Sequence, residues 1–167
     1  MAKGYASACV RLWGHFVGSS GTLTFTERPD REIAPDFMLT DSSGGQVKLS
    51  DFRGKVVLLS LWDTKCVACN VEIPWFNEFQ QRYEQRDLVV LSIALDNDGW
   101  RSIRPYIAEK KINHRVLAGT GDIVNLYGGS IPTALILDRT GRIAVTHVGL
   151  CTKREYETAI ESTINER

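Results

Sequence analysis

The sequence has no charge excess, with lysine plus arginine and aspartate plus glutamate both numbering 20. Such a balance sets up no global field to draw in nucleic acid or an anionic membrane surface. No basic run and no interleaving of basic and aromatic residues restores one locally. No apolar stretch approaches the ~18 residues of a transmembrane helix. Histidine is scarce, at three residues, and cysteine stops at four. Beyond Cys66 and Cys69, the candidates for a zinc site are Cys9, Cys151, His15, His114 and His147. No two of them are paired at ligand spacing, so no metal is expected. There is no internal repeat and no low-complexity tract.

What is present fits one domain of 167 residues. A chain of this size buries roughly 70% of its unfolded surface and needs no cysteine staple to fold. Residues 1–30 read as a tail, a degenerate leader or a tether. Lys3 gives a weak positive start, Arg11 and His15 interrupt the apolar stretch a secretory signal needs, and Ala6-Ser7-Ala8-Cys9 loosely resembles a lipoprotein processing site. Gly18-Ser19-Ser20-Gly21 reads as a flexible link. The folded domain is expected over 31–167.

Thr22 to Thr26 alternates at period two, a short strand. Ala34 to Leu39 and Gln46 to Leu49 flank the polar turn Asp41–Gly45 and predict a hairpin. Ser50 to Gly54 reads as one helical turn closed by glycine. Val56 to Trp62 is almost continuously apolar, as expected of a strand covered on both faces. A helix follows over 67–84, then an apolar strand from Leu88 to Leu95. A further helix is read over Trp100–Lys111, with Pro105 tolerable only in a first turn or as a kink. A short helix over Asp122–Tyr127 ends at Gly128-Gly129. Strands Thr133–Leu137 and Ile143–Val148 flank Asp138-Arg-Thr-Gly141, a hairpin signal, and a helix over about 153–165 closes the chain. A β-α-β half joined to a β-β-α half gives one mixed sheet with helices on both faces.

The chemistry concentrates in WDTKCVACNVEIP, residues 62–74. A structural bridge between Cys66 and Cys69 would close too small a loop to stabilise much. Zinc lacks its other two ligands. Electron exchange fits: Cys66 stands where a buried strand meets a helix, and the helix N-terminus favours a thiolate. Cys69 lies one turn on, within disulfide reach. One thiolate that attacks and one that resolves is the minimum for thiol–disulfide exchange.

This segment resembles the active-site strand-turn-helix of thioredoxin-fold proteins, and within them the extracytoplasmic TlpA/ResA-like thiol–disulfide oxidoreductases of the AhpC/TSA superfamily. Supporting pieces are Ala34-Pro-Asp-Phe37, Leu49-Ser-Asp-Phe-Arg-Gly-Lys55, Ser130-Ile-Pro-Thr133 and Leu137-Asp-Arg-Thr-Gly-Arg-Ile143, so the likeness covers about 33–165. It implies a thioredoxin-like α/β three-layer sandwich with an N-terminal β-hairpin extension. It implies Cys66 as nucleophile, Cys69 as buried resolving thiol, and Pro132 as a cis proline whose neighbour Ile131 pairs with an extended client segment. Glu72 matches the acid that moves protons at the buried cysteine, against a solvated helix glutamate at even weight. Trp62 and Lys65 are placed with Ile131 and Pro132 on the client-facing side. Pro74 matches the family's helix kink. Departures are Lys65 for the usual aromatic, Asp63 for alanine, Val-Ala between the cysteines, and Ser60 where thioredoxins proper carry a buried acid. His147 is read as a satisfied structural histidine, Cys151 as a spectator thiol on a loop, and Trp75, Phe76 and Phe79 as helix core.

The implied function is electron exchange with protein disulfides, extending to extracytoplasmic thiol reduction or cytochrome c maturation. No cofactor is expected beyond the cysteine pair. The expected partners are protein thiol/disulfide clients and an upstream dithiol donor, with no nucleic acid, and the protein is expected to be a monomer. The expected location is periplasmic or otherwise extracytoplasmic, tethered at the N-terminus. Two rival readings are a peroxiredoxin-type peroxidase and a non-catalytic thioredoxin-fold binding module. The first lacks its Thr or Ser three residues before the cysteine, where Asp63 stands; the second needs neither the cysteines nor Pro132.

Overall fold

The computed structural model describes residues 6–8 and 22–166. Cys9, His15, the Gly18–Gly21 link and most of the expected leader lie outside the described residues. The strands are β1 (Ala6–Ala8), β2 (Thr22–Phe25), β3 (Met38–Asp41), β4 (Gln46–Lys48), β5 (Val56–Trp62), β6 (Leu88–Ala94), β7 (Arg115–Ala118), β8 (Thr133–Leu137) and β9 (Ile143–Val148). The α-helices are α1 (Val67–Tyr83), α2 (Trp100–Lys110), α3 (Gly121–Leu126) and α4 (Lys153–Asn165). Among the described residues they build one mixed sheet, ordered β1-β2-β9-β8-β5-β6-β7-β3-β4. Strands β5, β6 and β7 run parallel, β8 is antiparallel to β5, and β9 is antiparallel to β8. The expected hairpin is β3–β4, which caps the far edge against β7. Strand β2 pairs with β9, so the sheet begins before residue 31.

The unbroken apolar run of β5 reflects two buried faces. Val56 and Leu58 join Phe76, Phe79 and Tyr83 of α1 and Tyr156 and Ile160 of α4 in one cluster. Val57, Leu59 and Leu61 point the other way, to Ile123 of α3, Tyr127 and Leu49. At the end of β5, Trp62 joins Cys69 and Ile73 of α1 and Ile103 and Tyr106 of α2. Alternation along a pleated strand is what sends successive side chains to opposite layers.

Three sequence expectations need correction. Strand β7 went unread: four residues with only Val116 and Leu117 buried carry too short a pattern to register. Of the two places allowed for Pro105, the first turn is excluded, because the residue sits well inside α2. Its missing N–H deprives the Arg101 carbonyl of a helical partner, and both residues are exposed. The turn expected over Ser50–Gly54 begins one residue earlier, as a 3-10 helix over Leu49–Phe52, with Gly54 beyond it in the left-handed region at φ 90°.

The β8–β9 turn shows how short-range chemistry fixes register. Asp138 Oδ1 accepts the Thr140 N–H at 2.9 Å, the Thr140 hydroxyl at 2.6 Å and the Arg142 N–H at 3.1 Å. Gly141 takes φ 77°, a left-handed conformation that favours glycine.

Candidate functional site

The central strand β5 ends at Trp62, and α1 starts five residues later with Cys66 as its N-cap. Cys66 and Cys69 form a disulfide with their Cα atoms 5.3 Å apart. The Cys69 N–H donates to Cys66 Sγ at 3.1 Å. That is the place a thiolate would occupy, held by a free helix N–H and the positive end of the helix dipole. The two sulfurs differ in access: Cys66 is half-buried, whereas Cys69 is 2% exposed, packed with Trp62, Ile73 and Tyr106. Asn70 donates to the Cys66 carbonyl at 3.1 Å and accepts the Tyr106 hydroxyl, tying α2 to the first turn of α1. The Asp63 carboxylate accepts the Lys65 N–H at 2.9 Å. A cleft of about 180 Å³ opens beside this turn, lined by Asp63, Lys65, Asp96, Asp98 and Ser102.

Ile131–Pro132 is a cis peptide. Thr133, the next residue, lies opposite Leu61, so this loop shares the end of the sheet with the disulfide. Ile131 is half-buried and Lys65 exposed. Val67, directly after Cys66, is 79% exposed, an apolar side chain at the mouth of the site. Trp62 does not belong to that surface. It is 2% exposed and stacks on Tyr106 with ring centroids 5.2 Å apart, because its strand position turns it inward behind Cys69. Its expected client contact is therefore withdrawn.

Glu72 is not a solvated helix glutamate. It is 1% exposed, one turn beyond Cys69 on the same buried side of α1. The Tyr156 hydroxyl donates to its Oε1 at 2.9 Å. Burial pushes the Glu72 carboxyl up to about 7, and the Tyr156 hydrogen bond pulls against that rise. On its other side the same hydroxyl lies 2.6 Å from Nδ1 of His147, and His147 Nδ1 is itself 4.0 Å from Glu72 Oε1. Burial pushes His147 down to about 4, against the charge of Glu155. The reading of His147 as satisfied fails on one atom: its buried Nε2 has no hydrogen-bond partner among the described residues. The sequence marks Tyr156 only by its place in the last helix. It lies 84 positions from Glu72, beyond the reach of any local pattern. Cys151, read as a spectator thiol, is buried.

A buried acid, a buried thiol and a half-exposed sulfur at a helix N-terminus together can break and form disulfides while moving a proton. Comparison with known proteins agrees. Residues 31–146 match the AhpC/TSA family model. The thiol-disulfide oxidoreductase ResA of Geobacillus kaustophilus is 31% identical over 149 residues, 83% of this chain and 82% of that protein. The thioredoxin-like protein YneN of Bacillus subtilis is 33% identical over 130 residues, 77% of this chain and 76% of that one. A Chlorobium tepidum crystal structure provisionally assigned as the thiol:disulfide interchange protein DsbE superposes with a TM-score of 0.76 at 31% identity, covering 81% of this chain and 97% of that one. With its cysteine pair at a strand-to-helix junction of a thioredoxin-like fold, the chain belongs to the AhpC/TSA family, as a thiol–disulfide oxidoreductase.

Proposed function

We propose that the protein exchanges electrons with protein disulfides by a two-thiol cycle in which Cys66 attacks and Cys69 resolves. The observation that carries this reading is the unequal access of the two sulfurs, one half-exposed at a helix N-terminus and one 2% exposed. In the reductive direction the Cys66 thiolate attacks a client disulfide, and one client sulfur leaves as thiolate. Cys69 then loses its proton and attacks Cys66 Sγ. The Cys66–Cys69 disulfide forms, the second client sulfur leaves, and two electrons have passed to the client. Glu72 is the base that takes the Cys69 proton. The client's extended segment lies along the Ile131 backbone beside Pro132, a short β-augmentation, with Lys65 and Val67 at its margin. The cysteine pair carries the redox equivalents without a further cofactor, and an upstream dithiol donor reduces it again.

We infer an extracytoplasmic setting and a monomer, from the branch that the active-site segment resembles. Among the described residues no helix is long and apolar enough to cross a membrane. A peroxidase reading finds no support at the site, since Asp63 occupies the position where that chemistry needs a hydroxyl, and its carboxylate is engaged with the Lys65 N–H.

Trapping tests the cycle. Cys69→Ser should accumulate covalent, reductant-sensitive adducts with a disulfide-bonded client such as insulin, and with proteins of a native extract. Cys66→Ser should form none, and Cys151→Ser should behave as the parent. Non-reducing electrophoresis with mass spectrometry reads all three. Adducts that persist in Cys66→Ser, or none from any variant, would overturn the assignment.

A further inference from the structure

The Tyr156 hydroxyl carries one proton and lies between Glu72 Oε1 at 2.9 Å and His147 Nδ1 at 2.6 Å. An ionised carboxylate only accepts. When Glu72 is ionised, the tyrosine proton must therefore point to it, and the tyrosine oxygen must accept from the other side. That places the hydrogen of a neutral His147 on Nδ1 and leaves Nε2 as a bare lone pair. Nε2 is the His147 atom that lacks a partner among the described residues. The buried acid, the shared hydroxyl and the orphaned nitrogen thus fit a single proton arrangement. A buried polar atom left unmatched costs about 1–3 kcal/mol, so a histidine kept there for packing alone is poorly chosen.

We propose that Tyr156 and His147 are positioning residues for the Cys69 half-reaction: His147 orients the Tyr156 hydroxyl, and that hydroxyl holds the Glu72 carboxylate ionised and ready to take the Cys69 proton. The inference rests on the reading of Glu72 as the base of the preceding section. Each group comes from a different element, Glu72 from α1, Tyr156 from α4 and His147 from β9, so the network forms only in the folded sheet. Among the described residues, the titratable groups packed around it include Cys69 and Tyr83 on the helix of Glu72, Glu155 from α4, Cys151 from the loop before α4, and His114 against Phe76. Without the tyrosine proton the carboxylate loses its hydrogen bond and is harder to ionise. The base then forms only at higher pH, and the resolving step weakens at neutral pH while recovering in alkali.

The test loads Cys66 with thionitrobenzoate as a mixed disulfide on the full chain. Attack by Cys69 breaks that bond, forms Cys66–Cys69 and releases a coloured thiolate, followed by stopped flow across pH. In the wild type the rate should rise through the titration of Glu72, and Glu72→Gln should flatten that rise. Tyr156→Phe keeps the ring and should slow release at neutral pH by about threefold to tenfold, the range of one net hydrogen bond, with the alkaline rate retained and the melting temperature little changed. His147→Leu should act in the same direction, and His147→Asn, which restores a donor near Nδ1, should recover most of the loss. NMR titration of the Glu72 carboxyl carbon in the oxidised protein, where neither cysteine titrates, should show the same upward displacement in Tyr156→Phe. A wild type that fails to release the probe sinks the exchange reading itself. Normal release flattened by Glu72→Gln, but with an unmoved profile and an unmoved Glu72 titration in Tyr156→Phe, sinks this inference alone.

Discussion

His114 and His147 are both buried, and burial pushes both down to about 4, yet they keep different company. His114 has a partner for each ring nitrogen, Asn77 Oδ1 at 3.1 Å and Ser92 Oγ at 2.9 Å. Asn77 in turn accepts the Asn113 N–H at 3.1 Å, so this cluster pins the end of α2 to α1. Among the described residues His147 has one hydrogen-bond partner, Tyr156, and one unmatched nitrogen. Beyond that tyrosine stands a carboxyl one turn from the resolving cysteine. Polar groups buried for stability are matched on every side. The cluster behind Cys69 is unmatched at one end among the described residues, as the proposed proton arrangement requires.

The largest effect expected from this contrast belongs to Glu72→Gln. Glutamine keeps the shape, the helix propensity and an acceptor for Tyr156, but cannot take a proton. Resolution at neutral pH should slow by about 10²-fold, measured by probe release. Stability should move the other way. The folded Glu72 titrates at about 7 against an ordinary 4.5, so the native state holds a proton that the unfolded state loses between those values. Wild-type stability on this account is intact below 4.5 and falls as pH rises to about 7. Removing the acid should recover on the order of 3 kcal/mol at alkaline pH, seen as a higher melting temperature. Loss of both rate and stability at every pH would make Glu72 structural and erase the contrast.

The second effect separates the histidines directly. His114→Leu strips a partner from the fully buried Ser92 hydroxyl and should cost about 1–3 kcal/mol. His147→Leu removes an already orphaned nitrogen and should cost less. The pH profile of probe release should reverse that ranking, moving for His147→Leu and staying put for His114→Leu. Acid is the shared weakness. Each folded histidine lies near 4 against an ordinary 6.5, so their contribution is complete above 6.5 and drains as pH falls toward 4. Wild-type melting temperature should drop across that window, and His114→Leu should flatten part of the drop. Equal stability losses from the two leucine variants would count against reading one cluster as structure and the other as chemistry.

The part of the site built from neighbouring residues was legible in the sequence, and the part assembled from distant elements was not. Cys66, Cys69 and the strand-to-helix junction sit within eight residues of Trp62, where an apolar run and helical spacing speak for themselves. The paired strands around Asp138–Gly141 were equally local. The resemblance of Ser130-Ile131-Pro132-Thr133 placed the cis proline, although that loop meets the disulfide only through the pairing of β8 with β5. Glu72 stayed ambiguous because helical position alone does not tell which side of α1 is covered, and α4, which covers it, lies at the far end of the chain. Trp62 was misplaced for the same reason, since inward or outward on the last residue of a strand depends on α2. Tyr156 and His147 are brought to Glu72 only by the pairing of distant elements, so no local pattern marks them as a group.

The smallest effect tests how tightly α4 holds its end of the buried cluster. Thr152 caps the helix, its hydroxyl accepting the Glu155 N–H at 3.3 Å while the Glu155 carboxylate accepts the Thr152 N–H at 2.9 Å. Tyr156 is the fourth residue of that helix, so a frayed first turn loosens the hydroxyl that Glu72 depends on. Thr152→Ala should cost about 1 kcal/mol of stability and move the pH profile of probe release upward by about twofold, a fraction of what a single net hydrogen bond supplies. Thr152→Ser keeps the capping oxygen and should restore both. The His114 cluster shares no residue with α4, so its contribution to the acid-side melting drop should be untouched. A profile displaced as far as in Tyr156→Phe would mean that the cap, rather than His147, fixes the tyrosine. A lower melting temperature with no displacement would mean that β9 and α1 hold the tyrosine whatever the first turn does.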